Sequence, residues 1–222
     1  MSDADHDDAR YAQVLLFPNW AQLRRRLPPT ITGLVLIGLG IAVSVRADLG
    51  LAPWDVFHQG VADATGLSIG VVVVLAGFVI LLAWIPLRQR LGIGTILNTL
   101  SVGFIADFGL ALIPEQENLG VRIVLLLASL LMFGVGGGLY IGAGLGPGPR
   151  DGLMTAISAR GHKLWIVRTT IECSALAVGF ALGGTVGVGT VLIAFAIGPI
   201  THVCLRRFHL PVDDHTDEVM GE

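Results

Sequence analysis

Two short motifs bring ionisable side chains together with residues that start helices. Pro53, Trp54 and Asp55 follow one glycine-containing break, and residues 149–151 repeat the pattern as Pro-Arg-Asp after another. Proline suits the first helical position, where its missing N–H would be unpaired. Aspartate in the first turn is favoured by the helix dipole. Each motif therefore predicts the start of a short helix with charged groups at its N-terminal end.

The segments that follow these motifs leave two interpretations open. Residues 54–65 place Asp55, His58, Gln59 and Asp63 on one helical face, and residues 151–161 are amphipathic likewise. They are either short interfacial helices or broken half-helices turned towards the axis of a bundle. Broken helices build the substrate sites of transporters with inverted repeats, and helix N-termini attract anions. On the second interpretation the substrate-binding residues are Pro53, Trp54, Asp55, His58, Asn98, Pro149, Arg150 and Asp151.

The composition indicates that these residues belong to a membrane protein. The chain has 222 residues and a net charge of −3, and 53% of it is hydrophobic. Charged residues make up 14%, against about 25% in globular proteins. Charge-free stretches such as residues 64–87 and 123–149 are long enough for spans of roughly 20 residues. The sequence therefore predicts an all-α polytopic membrane protein in contact with the lipid bilayer.

Several other classes of protein are disfavoured. Net acidity and scattered basic residues argue against binding to nucleic acid. The two cysteines, Cys173 and Cys204, both fall in apolar stretches, so neither a disulfide framework nor a zinc site is indicated. We therefore expect no cofactor and no metal.

Hydropathy and helix-breaking residues together predict six spans. Residues 1–28 form a cytoplasmic segment with an interfacial anchor over Tyr11–Leu23, and residues 207–222 form a cytoplasmic tail. Twelve of the fourteen Lys and Arg residues then fall on the side of the termini, and only Arg46 and Arg122 on the other. This positive-inside bias places both termini in the cytoplasm. The predicted spans are residues 29–46, 68–86, 92–113, 119–143, 165–183 and 189–205.

The membrane part of the sequence contains an internal repeat. Residues 49–55 recur at 145–151, and the Gly-x-Gly-Thr motif at residues 92–95 recurs at 187–190. The two copies occupy residues 29–114 and 119–206. Because each holds three spans, an odd number, the second copy must enter the membrane from the opposite face. We therefore predict two inverted three-helix repeats.

These paired motifs also carry a family resemblance. L-G-x-x-P-W-D-V-F-H-Q-G and G-I-G-T-I-L-N in the first half, with G-P-R-D-G-L-M and G-V-G-T in the second, resemble the YczE/YyaS/YitT group of bacterial membrane proteins. The resemblance covers residues 32–205 and implies an integral protein of the bacterial inner membrane. We expect no appended soluble domain of the kind that YitT-like members carry, and so expect the chain to lie nearer the YczE-like branch.

Other polar residues of the spans are secondary candidates. Ionisable groups within a membrane default to functional sites, so Asp107 and Glu172 are predicted to couple protons or contact substrate, although a local pair of Arg168 with Glu172 is the alternative. Four residues begin the third and sixth spans, where structural packing is favoured over ligand contact. They are Gly94, Thr95, Gly189 and Thr190.

The repeat and its motifs favour a small secondary transporter or facilitator for a small molecule or ion, working by alternating access. The alternative is a non-transporting scaffold or regulator of a partner complex, and a channel ranks third. Gly66–Gly70 fits the G-x-S-x-G pattern of serine hydrolases, with His202 as partner, but Ser68 opens a membrane helix as its N-cap. We therefore expect no enzyme. Glycines at four-residue spacing, as over residues 134–146, are typical of tight helix contacts and could serve a homodimer.

Overall fold

The computed structural model describes residue 15 and residues 18–210. This part of the chain forms eight α-helices and no strand. Six of the helices are long and apolar enough to cross a membrane, which confirms the predicted all-α protein with six spans. The order long, short, long, long occurs twice. The helices are α1 (Trp20–Ala47), α2 (Pro53–Thr65), α3 (Ile69–Leu87), α4 (Ile93–Leu112), α5 (Leu119–Gly142), α6 (Pro149–Ser158), α7 (Leu164–Ala181) and α8 (Val188–Phe208).

Five of the predicted spans match helices to within three residues at each end, whereas α1 begins at Trp20 rather than at residue 29. Asn19 explains the early start, since its side chain accepts from the Gln22 N–H at 2.9 Å and its own N–H donates to the Gln22 side chain. Two prolines lie inside α1 and have no N–H to donate, so the carbonyls of Arg24 and Arg25 lose their helical hydrogen bonds. Both of these residues are exposed. Of the predicted anchor, residues 11–14 and 16–17 lie outside the described residues, and residues 20–23 form the first turn of α1.

One end of the bundle is closed by Arg26. This side chain is buried and donates hydrogen bonds to the carbonyls of Ala143, at 2.8 Å, and Leu210, at 3.1 Å. The Leu210 N–H in turn donates to the Gly142 carbonyl at 2.9 Å. The last carbonyls of α5 are thereby satisfied. We call this the Arg26 end; residues 211–222, most of the predicted tail, lie outside the described chain.

At the opposite end of the bundle, which we call the Arg122 end, Arg122 and Arg46 also donate hydrogen bonds to backbone carbonyls. The Arg122 guanidinium donates to the Ala47 carbonyl at 2.8 Å and pairs with Asp48 at 2.8 Å. Arg46 donates to the Leu110 carbonyl at 2.8 Å. Positive charge at a helix C-terminus is favoured by the helix dipole. These two arginines therefore hold the C-termini of α1 and α4.

The centre of the bundle is the contact of α1 with α4 and α5. A Cβ added at Gly33 of α1 would lie 2.6 Å from the carbonyl oxygen of Gly136 in α5, so these two backbones touch. Apolar side chains from the three helices fill the space around this contact. They are Leu34, Ile41, Val102, Ala106, Phe133 and Tyr140.

The predicted glycine stripe of α5 is a tight helix contact within the chain. Added Cβ atoms at Gly134 and Gly138 would lie 2.2 Å from Ile200 and 2.5 Å from Cys204, both in α8. Helix α8 therefore covers this face of α5. A homodimer stays a prediction, and it would need a surface other than this stripe.

Each short helix packs against the other half of the chain. Helix α2 lies on α7, and α6 lies on α3, while α1 packs on α4 as α5 packs on α8. One pair of contacts breaks this correspondence: α3 packs along α4, whereas the equivalent helices α7 and α8 hardly touch. The space between α7 and α8 is where the candidate site lies.

Candidate functional site

The loops before α2 and α6 are fixed by the helix starts of the opposite halves. Gly50 and Gly146 have φ angles of +107° and +128°, which favour glycine. The carbonyl of Leu49 accepts from the Gly189 N–H at 2.7 Å, and the carbonyl of Leu145 accepts from the Gly94 N–H at 2.8 Å. These reciprocal contacts set the positions at which α2 and α6 begin.

The predicted helix-start residues have structural contacts. Thr95 Oγ1 donates to the Pro147 carbonyl at 2.7 Å, and Thr190 Oγ1 accepts from the Gly187 N–H at 3.2 Å. Both threonines are buried early-turn hydroxyls, as the motif predicted. Gly94, Thr95, Gly189 and Thr190 therefore support the two loops and line neither of the cavities described below.

The N-termini of α2 and α6 face each other. Proline occupies a first-turn position in both helices, as predicted, and the Arg150 guanidinium carbon lies 5.6 Å from the centroid of the Trp54 ring, within cation–π range. Trp84 of α3 holds α6 in place, since its indole N–H donates to the Pro149 carbonyl at 3.1 Å. The indole also lies where a Cβ at Gly152 would be, 2.1 Å away. Helix α6 is thus clamped against α3 with its charged first turn towards α2.

A cavity of about 500 Å³ extends from these two N-termini along α8 to Leu205, near the Arg26 end. A second cavity, of about 40 Å³, lies on the other side of Arg150, between α3 and α4. All eight predicted substrate-binding residues line one cavity or the other. The large cavity takes Pro53, Trp54, Asp55, Arg150, Asp151 and also Glu172; the small one takes His58, Asn98, Pro149 and again Arg150.

Four buried polar atoms around this junction have no hydrogen-bond partner among the described residues. They are Trp54 Nε1, Asp55 Oδ1, His58 Nδ1 and Tyr140 Oη. Leaving a buried polar atom unpaired costs about 1–3 kcal/mol, and such groups in native proteins are usually paired. A cluster of them beside a cavity is typical of a site that receives water, a proton or a polar solute.

The charges of the large cavity are mixed. Arg168 donates to Glu172 at 3.0 Å, so the predicted local pair forms, and both residues lie in the cavity wall. With histidine neutral, Asp55, Asp151 and Glu172 against Arg150 and Arg168 leave a net charge of −1 among the lining residues. Among the described residues, no group of three His, Cys, Asp or Glu side chains could hold a metal ion.

Sequence reasoning did not include Arg168, His202 and Tyr140 among the substrate-binding residues. The sequence indicates Arg168 only as a local partner of Glu172 and His202 only as a partner of Ser68, yet both line the large cavity. Tyr140 lies inside the apolar core with its hydroxyl buried near Asn98. The repeat carries a signal for His202, because it falls opposite Asp107 in the other copy.

Asp107 lies apart from both cavities. Its carboxylate accepts from Ser68 Oγ at 2.5 Å and from the Gly70 N–H at 2.8 Å, so it binds the N-terminus of α3 near the Arg122 end. Ser68 also caps this helix by accepting from the Val71 N–H, as predicted. Coupling by Asp107 stays a prediction, and any such role would act through the contact between α3 and α4.

The two cavities are lined at equivalent positions of the two sequence copies. Gly187 follows Gly92 by 95 residues, and the same offset relates five lining residues of the small cavity to five of the large one. The pairs, small cavity first, are Val73 with Arg168, Gly77 with Glu172, Asn98 with Ile193, Thr99 with Ala194 and Val102 with Ile197.

Comparison with known proteins places the chain in a family. Residues 24–206 match the family described as a family of unknown function, DUF6198. An uncharacterized protein of Haemophilus influenzae is 35% identical over 199 residues, covering 87% of this chain and 91% of the relative. The uncharacterized membrane protein YczE of Bacillus subtilis is 32% identical over 182 residues, covering 81% and 82%.

A third relative, the uncharacterized protein YyaS of Bacillus subtilis, is 25% identical over 179 residues, covering 77% of this chain and 88% of the relative. No solved structure matches the chain. The family match and the relatives confirm the resemblance carried by the paired glycine and aspartate motifs. The chain is a multi-pass membrane protein that belongs to the DUF6198 family and is similar to YczE and YyaS.

Proposed function

We propose that this protein is a secondary transporter or facilitator for a small solute in the bacterial inner membrane. Its two halves act as inverted three-helix repeats, and both termini are cytoplasmic because the basic residues concentrate on their side. The solute binds where the N-termini of α2 and α6 meet. The protein works by alternating access and is not an enzyme.

This proposal rests on the difference in size between the two cavities, although equivalent positions of the two sequence copies line them. Between α3 and α4 the backbones touch: a Cβ at Gly103 would lie 2.2 Å from the Gly70 carbonyl oxygen. At Gly198 of α8, the equivalent of Gly103, an added Cβ would meet nothing within 4 Å. Transporters with inverted repeats alternate by exchanging the arrangements of their halves. An open α7–α8 side and a closed α3–α4 side are what one such state requires.

The contacts of Asp107 suggest how the closed side is held. The bonds from Ser68 and Gly70 join α4 to the N-terminus of α3 near the Arg122 end, which the basic residues assign to the outer surface. The large cavity reaches towards the Arg26 end, which they assign to the cytoplasm. In the proposed cycle the Asp107 contacts break, α3 separates from α4, and α7 closes on α8.

The alternative chemistry of a serine hydrolase finds no support in the geometry. Ser68 Oγ donates to Asp107 and lies outside the cavity that His202 lines. A nucleophile and its histidine base must lie within hydrogen-bond reach of each other in one site, and Ser68 and His202 do not share a cavity. The hydroxyl of Ser68 is better explained as part of the α3 N-terminus.

A reversible crosslink between α3 and α4 tests the proposal. An added Cβ at Gly77 would lie 3.8 Å from Thr99 Cβ, which is the mean Cβ separation of a disulfide. The double variant Gly77→Cys, Thr99→Cys is made with Cys173 and Cys204 replaced by serine. Solutes that raise the melting temperature of the purified protein are identified first, and their uptake into proteoliposomes is then measured.

We expect uptake by the reduced double variant, loss of uptake after oxidation, and recovery with a thiol reductant. The matched controls, treated with the same oxidant, are Thr99→Cys alone and Gly77→Cys combined with Thr99→Ser, which removes the methyl that a Cβ at Gly77 would meet at 2.9 Å; both should keep their uptake. Uptake by fully crosslinked protein would refute the α3–α4 side as a gate. No flux of any stabilising solute through the uncrosslinked protein would refute transport and favour the scaffold.

A further inference from the structure

The side chains of Asp55 and His58 form a buried pair on α2. Their side chains are each only 4% exposed, and Asp55 Oδ1 lies 3.6 Å from His58 Nδ1. This separation exceeds a normal hydrogen bond, and neither atom has a hydrogen-bond partner among the described residues. By contrast Asp107, the carboxylate that the sequence favoured for coupling, has both its oxygens bonded by donors of α3.

We propose that the Asp55–His58 pair is a proton-binding site, and that it couples proton movement to transport. This assignment rests on the proposed transport function. An ionised carboxylate buried without a partner is costly, and such a group binds a proton or a positive charge instead. One proton shared by the pair gives either neutral aspartic acid beside neutral histidine or a carboxylate beside imidazolium. Both states carry no net charge.

The location of the pair suits a coupling site. Asp55 lines the large cavity and His58 lines the small one, so the two residues connect the open side of the bundle with the closed side. A proton bound between them has a route to either cavity as the halves exchange arrangements. Trp54 and the solute-sized space lie directly beside it.

Arg150 is the charge that competes with the proton. It belongs to α6, in the other half of the chain, lines both cavities, and acts electrostatically on His58. Without the proton, Arg150 balances Asp55; with the proton, Arg150 is released towards Trp54 or a negatively charged group of the solute. The other charged or titratable groups that face the pair are Asp151 of α6, Arg168 and Glu172 of α7, His202 of α8 and, beyond Asn98, Tyr140 of α5.

Infrared difference spectra of the protein in phosphatidylcholine vesicles test this site without any solute. Between about pH 8 and about pH 5 we expect the pair to take up one proton, which is followed in the carboxyl and imidazolium regions of the spectrum. Asp55→Asn should abolish this transition or lower the proton affinity of the pair at least tenfold, which is one pH unit. Arg150→Gln should raise the affinity, because it removes a competing positive charge.

Asp63→Asn, at an exposed carboxylate of the same helix, is the matched control and should leave the transition unchanged. The assignment is overturned if the wild-type protein has no such transition, or if Asp55→Asn leaves its midpoint where it was. Should Asp55→Asn not fold, His58→Gln and Arg150→Gln decide: unchanged spectra from both overturn the site. Because no solute is present, failure here is separate from the failure of transport in the crosslinking experiment.

Discussion

Mutations of Asp107 and Asp55 are expected to change the stability of the folded protein to very different extents. Replacing Asp107 should destabilise the folded protein, because its carboxylate bonds the N-terminus of α3 through Ser68 and Gly70. Replacing Asp55 with asparagine should leave stability nearly unchanged, because Asp55 Oδ1 accepts no hydrogen bond among the described residues and its 3.6 Å contact with His58 is longer than a hydrogen bond. The same Asp55 variant should abolish the function of the site.

The magnitude follows from the contacts. A hydrogen bond to a charged group contributes about 1.5–3 kcal/mol, and a carboxylate at a helix N-terminus adds about 0.3–1 kcal/mol. Ser68 is exposed and Asp107 only partly buried, so water replaces some of this interaction. Taking the lower values, Asp107→Ala should cost about 3 kcal/mol. Asp55→Asn keeps the shape of the side chain and removes no hydrogen bond of Oδ1, so it should stay within about 1 kcal/mol of the wild type.

Reversible unfolding in mixed micelles of a mild detergent and sodium dodecyl sulfate measures both free energies, with tryptophan fluorescence as the signal. Asp107→Asn is the graded control, since the amide oxygen still accepts from the Gly70 N–H and only part of the loss should appear. The reasoning is refuted if Asp107→Ala costs less than about 1 kcal/mol, or if Asp55→Asn costs as much as Asp107→Ala.

Three further predictions use the same unfolding assay. Gly50→Ala should lower the free energy of unfolding by at least about 2 kcal/mol, because the residue has a φ of +107° and its Cβ would lie 2.5 Å from a backbone nitrogen. Gly66→Ala is the control, with a φ of +74° and open space around it, and should cost only about 1 kcal/mol. Equal losses of stability in the two variants would contradict this. Trp84→Phe should cost about 1–2 kcal/mol by removing the hydrogen bond that holds α6, and a neutral result would exclude that clamp. Burial, and then the charge of Arg26, lower the pKa of His209 below 6.5. Stability should therefore fall as the pH drops below 6.5, because there the unfolded chain binds a proton at His209 more readily than the folded chain does. His209→Gln should weaken this pH dependence.

Sequence reasoning predicted the features that depend on local pattern. Apolar length placed five of the six spans to within three residues, because a span is defined by its own residues and the thickness of the bilayer. The Pro-x-Asp motifs predicted where α2 and α6 begin, since proline and aspartate act on the helix turn that contains them. The eight substrate-binding candidates, from Pro53 to Asp151, line two neighbouring cavities that share Arg150.

Features that depend on contacts between distant segments were beyond the sequence. Arg26 was one of three successive arginines, and only the ends of α5 and α8 turn it inward while Arg24 and Arg25 stay exposed. For the carboxylates Asp107 and Asp55, hydropathy indicates only how deep each residue lies in the membrane. Whether a donor faces each of them is decided by the packing of another helix.

The sequence by itself determined the helices, the family and the doubled motifs, because each of these is written in residue types at fixed spacing. Tertiary structure decided how the two copies differ. The same motif positions give touching backbones at Gly70 and Gly103 but open space at Gly198. Helix packing is a cooperative choice among arrangements of similar energy, so one sequence pattern, repeated, can produce a closed side and an open side in the same molecule.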